Sequence, residues 1–363
     1  MALAVLERSP HARLTLIERE ARLGGNHTWC FHEGDVPATA WEWFEPLVVK
    51  RWGAHDVAFP GHKRRMSQTY SAITSERLHQ VVSRRISAAS NAQVVIGSAL
   101  HVERGSVMVA GGTDVAARLV IDSRGPERNV SEARHFQKFV GIELQIEPGT
   151  GPEVPMLMDA TVEQTDGFRF VYVLPFGNDR VLVEDTYYSD DPSLDVERLA
   201  AGMVAYARRR GMNVRGIARQ ERGVLPLPTR APEEPTWESP LVGGYAGGFF
   251  HPTTGYSLPI AVRLAEHVAS RPPEGVFDAA FQKMVRLHYK QFRYCCLLNR
   301  LLFGAFAENQ RFRVLERFYR LPADTIRRFY ALEMNTADRA RILCGRPPRG
   351  FSLRQLLTEG NHS

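Results

Sequence analysis

Apolar and polar positions fall into a pattern from the start of the chain. Ala2 to Arg8 read as the last turns of a helix, and Leu14 to Ile17 as a buried strand ending on Glu18. A helical segment follows from Thr74 to Ala89, with short strands near Val94 and Val107, and an apolar strand from Arg118 to Asp122 runs into Ser123, Arg124, Gly125 and Pro126. The middle of the chain changes character. Phe139 to Leu144, Phe168 to Leu174 and Arg180 to Thr186 are alternating or apolar strands separated by Gly, Pro and Asp turns, which predicts an inserted antiparallel sheet. Helical spacing resumes at Ala261 to Ala269 and again from Phe277 to Phe306.

Three strand or helix ends carry residues suited to a nucleotide. A strand closing on an acid is how the second strand of a Rossmann βαβ unit ends, where the carboxylate accepts hydrogen bonds from ribose hydroxyls, and Glu18 has that place. The strand and Gly-x-Gly-x-x-Gly turn that should precede it are absent from the sequence. The expectation is a nucleotide-binding lobe cut short at its N-terminus, with Met1 inside the first helix and an in-frame extension upstream on the order of two dozen codons. Gly24 and Gly25 let the backbone pass close to a ligand that Asn26 and His27 can contact, although a double glycine alone is more often only a turn. Asp122 with Gly125 again suits the carboxyl edge of a nucleotide-binding sheet. Between Gly243 and Ser257 a glycine-rich turn containing Gly247, Gly248, His251, Pro252, Gly255 and Tyr256 opens a helix, presenting backbone N–H groups and a positive dipole end to a phosphate or flavin edge.

Composition narrows the classes. With 363 residues, 44% hydrophobic and 24% charged, the chain suits a globular protein of two or more lobes. MALAVLERSP has no basic leader and too short an apolar run for a signal peptide, so export is not expected. CCLLNRLLFGAF is broken by Asn299 and Arg300, and no transmembrane helix is expected. Cys30, Cys295, Cys296 and Cys344 form no CxxC pair, which fits a reducing cytoplasm and argues against structural zinc; no metal is expected.

The net charge of +6 is uneven. From Arg271 to Ser363 there are 17 basic and 8 acidic residues, against 29 and 32 before them, so attraction to polyanions belongs to the tail. Within it Phe277, Phe281, Met284, Val285, His288, Phe292, Cys295 and Phe306 share one side of a helical pattern, and Lys283, Arg286, Lys290, Arg293 and Arg300 gather on another. Two readings stand: a helix resting on an anionic membrane, or one packed on the protein's own core with a solvated basic face. Nucleic acid is not the expected partner.

The strings GGNHTW, QKFVG, LMDATV, FRFVYVLPF, EDTYYSD, GGFFHPTTGYSLP, LLNRLLF, VLERFYRLP and RILCGRPP, in order along nearly the whole chain, resemble bacterial lycopene β-cyclases of the flavoprotein type. The resemblance implies an α/β fold, α+β overall, with a Rossmann-like FAD-binding lobe related to the hydroxylase-like flavoproteins. The corresponding domains are 1–130 for the first part of the FAD lobe, 131–222 for the antiparallel substrate lobe, 223–270 for the return to the FAD lobe and 271–363 for the basic helical segment. It further implies lycopene and related carotenes as substrates, reduced FAD as cofactor, a donor such as NADPH, and isomerising ring closure without net oxidation. The expected location is cytoplasmic, peripheral on the inner face of the cell membrane.

Glu184 is the expected proton-transfer residue. It ends a strand with Leu182 and Thr186 on its face, and its EDT string resembles the family's acidic motif; a partly buried carboxyl also keeps its proton more readily. Asp185 should face the other way by strand alternation, and Asp159 has no assigned role. Glu18, Gly24, Gly25, Asn26, His27, Asp122, Gly125, Gly247, Gly248, His251, Pro252, Gly255 and Tyr256 are the expected FAD contacts. Trp41 to Trp52 suit either a polyene tunnel or core packing, the second being commoner. Two other classes compete: a flavin-dependent carotenoid oxidoreductase on the same fold, and an inactive remnant lacking the glycine turn.

Overall fold

Buried apolar faces organise every layer of the computed structural model, which describes residues 1–125, 133–233, 237–345 and 347–352. The chain opens on α1 (Ala2–Arg8), with Leu3, Ala4 and Leu6 buried, and β1 (Leu14–Glu18). Next come β2 (Thr28–His32), α2 (Trp41–Phe44), β3 (Lys50–Trp52), β4 (His55–Phe59), β5 (His62–Met66) and β6 (Tyr70–Thr74). Thr74 then caps α3 (Ser75–Ser87), its hydroxyl accepting from the Arg77 amide at 3.3 Å, while Arg84 and Arg85 complement the dipole at the far end. β7 (Ala92–Ile96) returns parallel to β1, Leu14 opposite Ala92 and Glu18 opposite Ile96, giving the pairing expected of a βαβ unit. β8 (Ala99–Val102), β9 (Ser106–Val109) and β10 (Thr113–Ala116) make an antiparallel meander.

The expected strand from Arg118 to Asp122 is regular only at β11 (Ile121–Asp122), because those two residues alone meet a partner strand. The middle then lays down β12 (Phe136–Ile146), β13 (Met156–Asp159), β14 (Phe168–Pro175), β15 (Arg180–Ser189), α4 (Val196–Arg209) and β16 (Val214–Pro226). β17 (Leu241–Val242) pairs parallel with β11. The central sheet has seven strands in the order β16-β12-β15-β14-β13-β4-β5, with β13 and β4 parallel and the other neighbours antiparallel. β4 and β5 come from the segment before residue 131 and β16 runs past residue 222, so this sheet crosses the boundaries drawn from the sequence.

Alternation gives the sheet two unlike faces. Ile142, Leu144, Val171, Val173, Val181 and Val183 pack under Met203, Tyr206 and Ala207 of α4. The opposite face carries Phe168, Phe170, Leu174, Leu182 and Tyr188, which join Trp52, Phe59 and Tyr70 in the largest apolar cluster. That cluster is completed from the tail, by α6 (Ala279–Gly304), α7 (Phe312–Phe318) and α8 (Ala323–Tyr330), with α9 (Thr336–Leu343) following; α5 (Leu258–Ala269) belongs to the parallel-strand side. Phe281, Val285, His288, Phe292 and Cys295 of α6 are buried, so the helix spends its apolar face on the protein itself. Each large apolar side chain hidden there contributes about 1.5–3 kcal/mol. Lys283, Arg286, Lys290 and Arg300 face outward.

Candidate active site

Three neighbouring strands place two carboxylates across one glycine. Glu221 of β16 lies opposite Gly141 of β12, which lies opposite Glu184 of β15, which lies opposite Tyr172 of β14. Residues directly opposite share a face, so this rung points toward the aromatic side of the sheet. A Cβ on Gly141 would meet Glu221 Cγ at 2.9 Å and Oε1 at 3.2 Å, and Glu184 Oε2 at 3.4 Å. Glycine here is what lets the two acids converge.

The two acids are held differently. Glu184 Oε1 accepts from the Thr186 hydroxyl at 2.8 Å. Glu221 Oε2 accepts from Arg219 Nη1 at 2.8 Å and from the Thr28 hydroxyl at 3.2 Å. Arg219 also donates to Glu143 at 3.2 Å, to Asn26 Oδ1 at 3.0 Å and to the Thr28 hydroxyl at 2.7 Å, while Asn26 Nδ2 donates to the Gln220 carbonyl at 2.6 Å. The loop carrying Gly24 to Thr28 is thereby docked on β16 beside Glu221. Burial pushes the Glu184 carboxyl up to about 8, with the like charge of Glu221 adding to it. Glu221 is raised by burial too, but Arg219 and Thr28 pull it back.

Beyond Glu184 stands a wall of tyrosines. Tyr172 shares a hydroxyl–hydroxyl hydrogen bond with Tyr70, the Cys30 thiol lies beside them, and Tyr70 stacks on Trp52 at 6.3 Å. Burial raises both phenols well above their usual range and pushes Cys30 up to about 12, so all three are protonated at neutral pH. Cys30, Tyr172, Glu184, Tyr256 and Tyr330 each keep part of their surface accessible. His32 and His55 nearby are pushed down to about 4 and about 3 by burial, which leaves them neutral.

The residues expected at a dinucleotide sit at the carboxyl ends of the two parallel strand pairs and at the start of α5. Glu18 closes β1, and its carboxylate accepts from the Glu20 amide at 3.2 Å. Asp122 closes β11 and is paired with Arg124 at 2.7 Å, which pulls its carboxyl below the usual range. Gly25 and Gly125 have φ of 62° and 89°, and among the described residues, chain neighbours aside, only the His27 ring comes within 4 Å of a Cβ built on either. Their backbone is therefore open to a ligand. Ser257 makes no side-chain cap on α5, so first-turn amides there are free of one. These features fit an extended phosphate-containing group.

Other expected contacts are engaged by the chain itself. A Cβ on Gly247 would strike the Val242 carbonyl at 2.0 Å, and one on Gly248 would meet Tyr289 Oη at 2.7 Å, so both glycines are needed for the turn's own packing. His251 is fully buried; Nε2 bonds to the Phe329 carbonyl at 3.0 Å and Nδ1 accepts from the Thr253 amide at 3.2 Å. The Pro252 carbonyl accepts from Asn299 at 3.0 Å, a Gly255 Cβ would meet Tyr245 Oη at 2.7 Å, and the Tyr256 hydroxyl donates to Asp35 at 2.7 Å. Asp185 turns to the α4 face, where Arg169 holds it at 2.8 Å, and Asp159 is bound by Tyr206 and Arg210. Sequence reasoning missed Glu221, Arg219, Gly141 and the tyrosine pair. Gly141 and Thr28 do lie in two of the family-like strings, but only cross-strand register reveals what they face.

The family model described as lycopene cyclase protein matches residues 1–356. The lycopene beta-cyclase of Pantoea ananas is 37% identical over 352 residues, covering 96% of this chain and 91% of that protein. That of Paracoccus sp. is 38% identical over 357 residues, with the same two coverages. Among solved structures, the flavin-dependent brominase Bmp2 superposes with a TM-score of 0.62 at 12% identity, over 99% of this chain and 96% of that one. PqsL, a probable FAD-dependent monooxygenase from Pseudomonas aeruginosa, gives 0.57 at 15% identity over 86% and 94%. These structural likenesses show the Rossmann-like flavoprotein fold. The match across nearly its whole length, with relatives above a third identical, establishes that this chain belongs to the lycopene cyclase family.

Proposed function

We propose that the protein is a lycopene β-cyclase that turns linear lycopene ends into β-rings, with Glu184 as the proton-transfer residue. The observation that carries this reading is a carboxyl, Glu184, set directly opposite Tyr172 on the aromatic side of the sheet, where burial and the neighbouring Glu221 favour its protonated form. Glu184 gives its proton to the terminal double bond of a linear end group, leaving a tertiary cation. The neighbouring double bond attacks that cation and closes a six-membered ring. The ring cation then loses a proton to the Glu184 carboxylate, so atoms and electrons balance and the acid is restored. The apolar and phenolic walls from Trp52, Tyr70, Phe170 and Tyr172 exclude the water that would quench the cation and offer it electron-rich faces.

Reduced FAD, when bound, supplies negative charge for the cation, and a donor such as NADPH is needed to reduce it. Glu18 would take the ribose, Gly25 and Gly125 the close backbone approaches, and the α5 amides an anionic or flavin edge. The basic side of α6, where Lys283, Arg286 and Lys290 flank the exposed Leu287, supports peripheral contact with an anionic membrane that holds the carotene. No helix among the described residues is long and apolar enough to cross a membrane.

Expression in lycopene-making cells tests the reading. One-ring and two-ring carotenes with the mass of lycopene are expected. Products lighter by hydrogen or heavier by oxygen would replace it with a flavin oxidoreductase, and absent product together with absent flavin would leave an inactive remnant.

A further inference from the structure

Glu221 is 3% exposed and lies on the same rung as Glu184, yet the reaction above gives it no part. Its Oε1 and the Glu184 Oε2 both lie within 3.4 Å of the point where a Gly141 side chain would begin. Two carboxylates set this near each other in a largely buried site repel when both ionise, so one of them keeps its proton more readily. Which one holds it follows from their partners. Glu221 has a guanidinium at 2.8 Å and a hydroxyl donor at 3.2 Å, whereas among the described residues Glu184 has only the Thr186 hydroxyl.

We propose that Glu221 is a positioning residue for Glu184: kept as the carboxylate by Arg219 and Thr28, it holds the transferable proton on its neighbour across Gly141. The inference rests on the reading of Glu184 as the acid and adds how that acid is kept charged with its proton. It also explains why the strand that carries Glu221 alternates Arg219 and Glu221 on one face, since the cation is built in beside the anion it fixes.

The groups facing Glu184 are few. β16 brings Glu221 and Arg219, β12 brings Glu143, and β14, β6 and β2 bring Tyr172, Tyr70 and Cys30. Asp185 adjoins it in sequence but is paired with Arg169 on the other face. The phenols and the thiol stay neutral, and Glu143 is paired with Arg180 and Arg219. Glu221 and Arg219 are therefore the two charges whose removal should move the midpoint of the pair's proton, and in opposite directions.

The test is an infrared titration of the protonated carboxyl band in the full chain, read alongside carotene products from the same variants. The wild-type protein should show a carboxyl band that persists above the ordinary carboxylate range and is missing in Glu184→Gln. Glu221→Gln removes the neighbouring negative charge and should lower the midpoint by about one pH unit or more, a tenfold loss of proton affinity. Arg219→Gln removes the positive charge that keeps Glu221 ionised and should raise the midpoint of the one proton the pair holds. A side chain that merely supports the fold would not move the two midpoints in opposite senses. A midpoint in Glu221→Gln equal to or above the wild-type one overturns the proposal; should that variant not fold, an unchanged or lowered midpoint in Arg219→Gln does so. Normal cyclisation by Glu184→Gln is a different failure, since it removes the acid assignment itself while the infrared result on the pair still stands.

Discussion

Glu184 and Asp185 are adjacent acids with opposite fates, and strand alternation separates them. Glu184 faces the aromatic space with a raised carboxyl, so its competent form is the protonated one. The sign follows: activity should be retained through neutral pH and fall as pH rises through about 8, whereas an ordinary glutamate would already be ionised near neutrality. A pH–rate profile on carotene-loaded liposomes measures this limb. Glu184→Gln should bind flavin normally and lose cyclisation by about 10²–10⁴-fold, and Glu184→Asp should lose part of it through the retracted carboxyl. Asp185→Asn should behave otherwise. It breaks the buried pair with Arg169, at 2.8 and 2.9 Å, and should cost about 3–5 kcal/mol in denaturant unfolding while leaving activity per folded molecule near the wild-type level.

At the scale of elements, the reactive rung exists because β16, β12 and β15 run antiparallel in a fixed register. Gly141→Ala tests that register directly. Its backbone accepts alanine, but the new methyl meets Glu221 Cγ at 2.9 Å, so the acids must part. Activity should drop about tenfold or more, as misplacement of reacting groups by a fraction of an ångström does, while unfolding shifts by about 1–3 kcal/mol. A fully active Gly141→Ala would mean that the close approach of the acids has no bearing on the reaction. Much of this was legible beforehand: alternation at Phe139 to Leu144 and Arg180 to Thr186 marks β12 and β15, and the face of Glu184 follows from it. What alternation cannot give is which strands are neighbours. Glu221 is 37 residues after Glu184, and β4 joins the same sheet from far upstream, so the pair appears only once the long-range pairing is known. His251 shows the reverse case, a motif histidine whose ring nitrogens are both used by nearby backbone.

On the scale of the whole molecule, the C-terminal helices complete the apolar cluster that closes the aromatic side of the sheet, and the outer face of α6 carries their excess positive charge. Flotation with neutral and anionic liposomes should show preference for the anionic ones. Replacing Lys283, Arg286 and Lys290 by Gln should weaken that binding by about 3 kcal/mol, roughly a hundredfold, and equal binding of both lipids would remove the electrostatic version of membrane contact. The central claim is that ring closure is proton transfer through Glu184 with no net redox change. Cyclisation of unlabelled lycopene in heavy water tests it most directly, because a carboxyl that exchanges with solvent must leave one deuteron in each ring while the substrate loses one proton. Carotene with two rings should carry two deuterons from the wild-type protein, and Glu184→Gln should return unlabelled lycopene. Ring products without deuterium, or labelled rings formed at the wild-type rate by Glu184→Gln, would contradict the account.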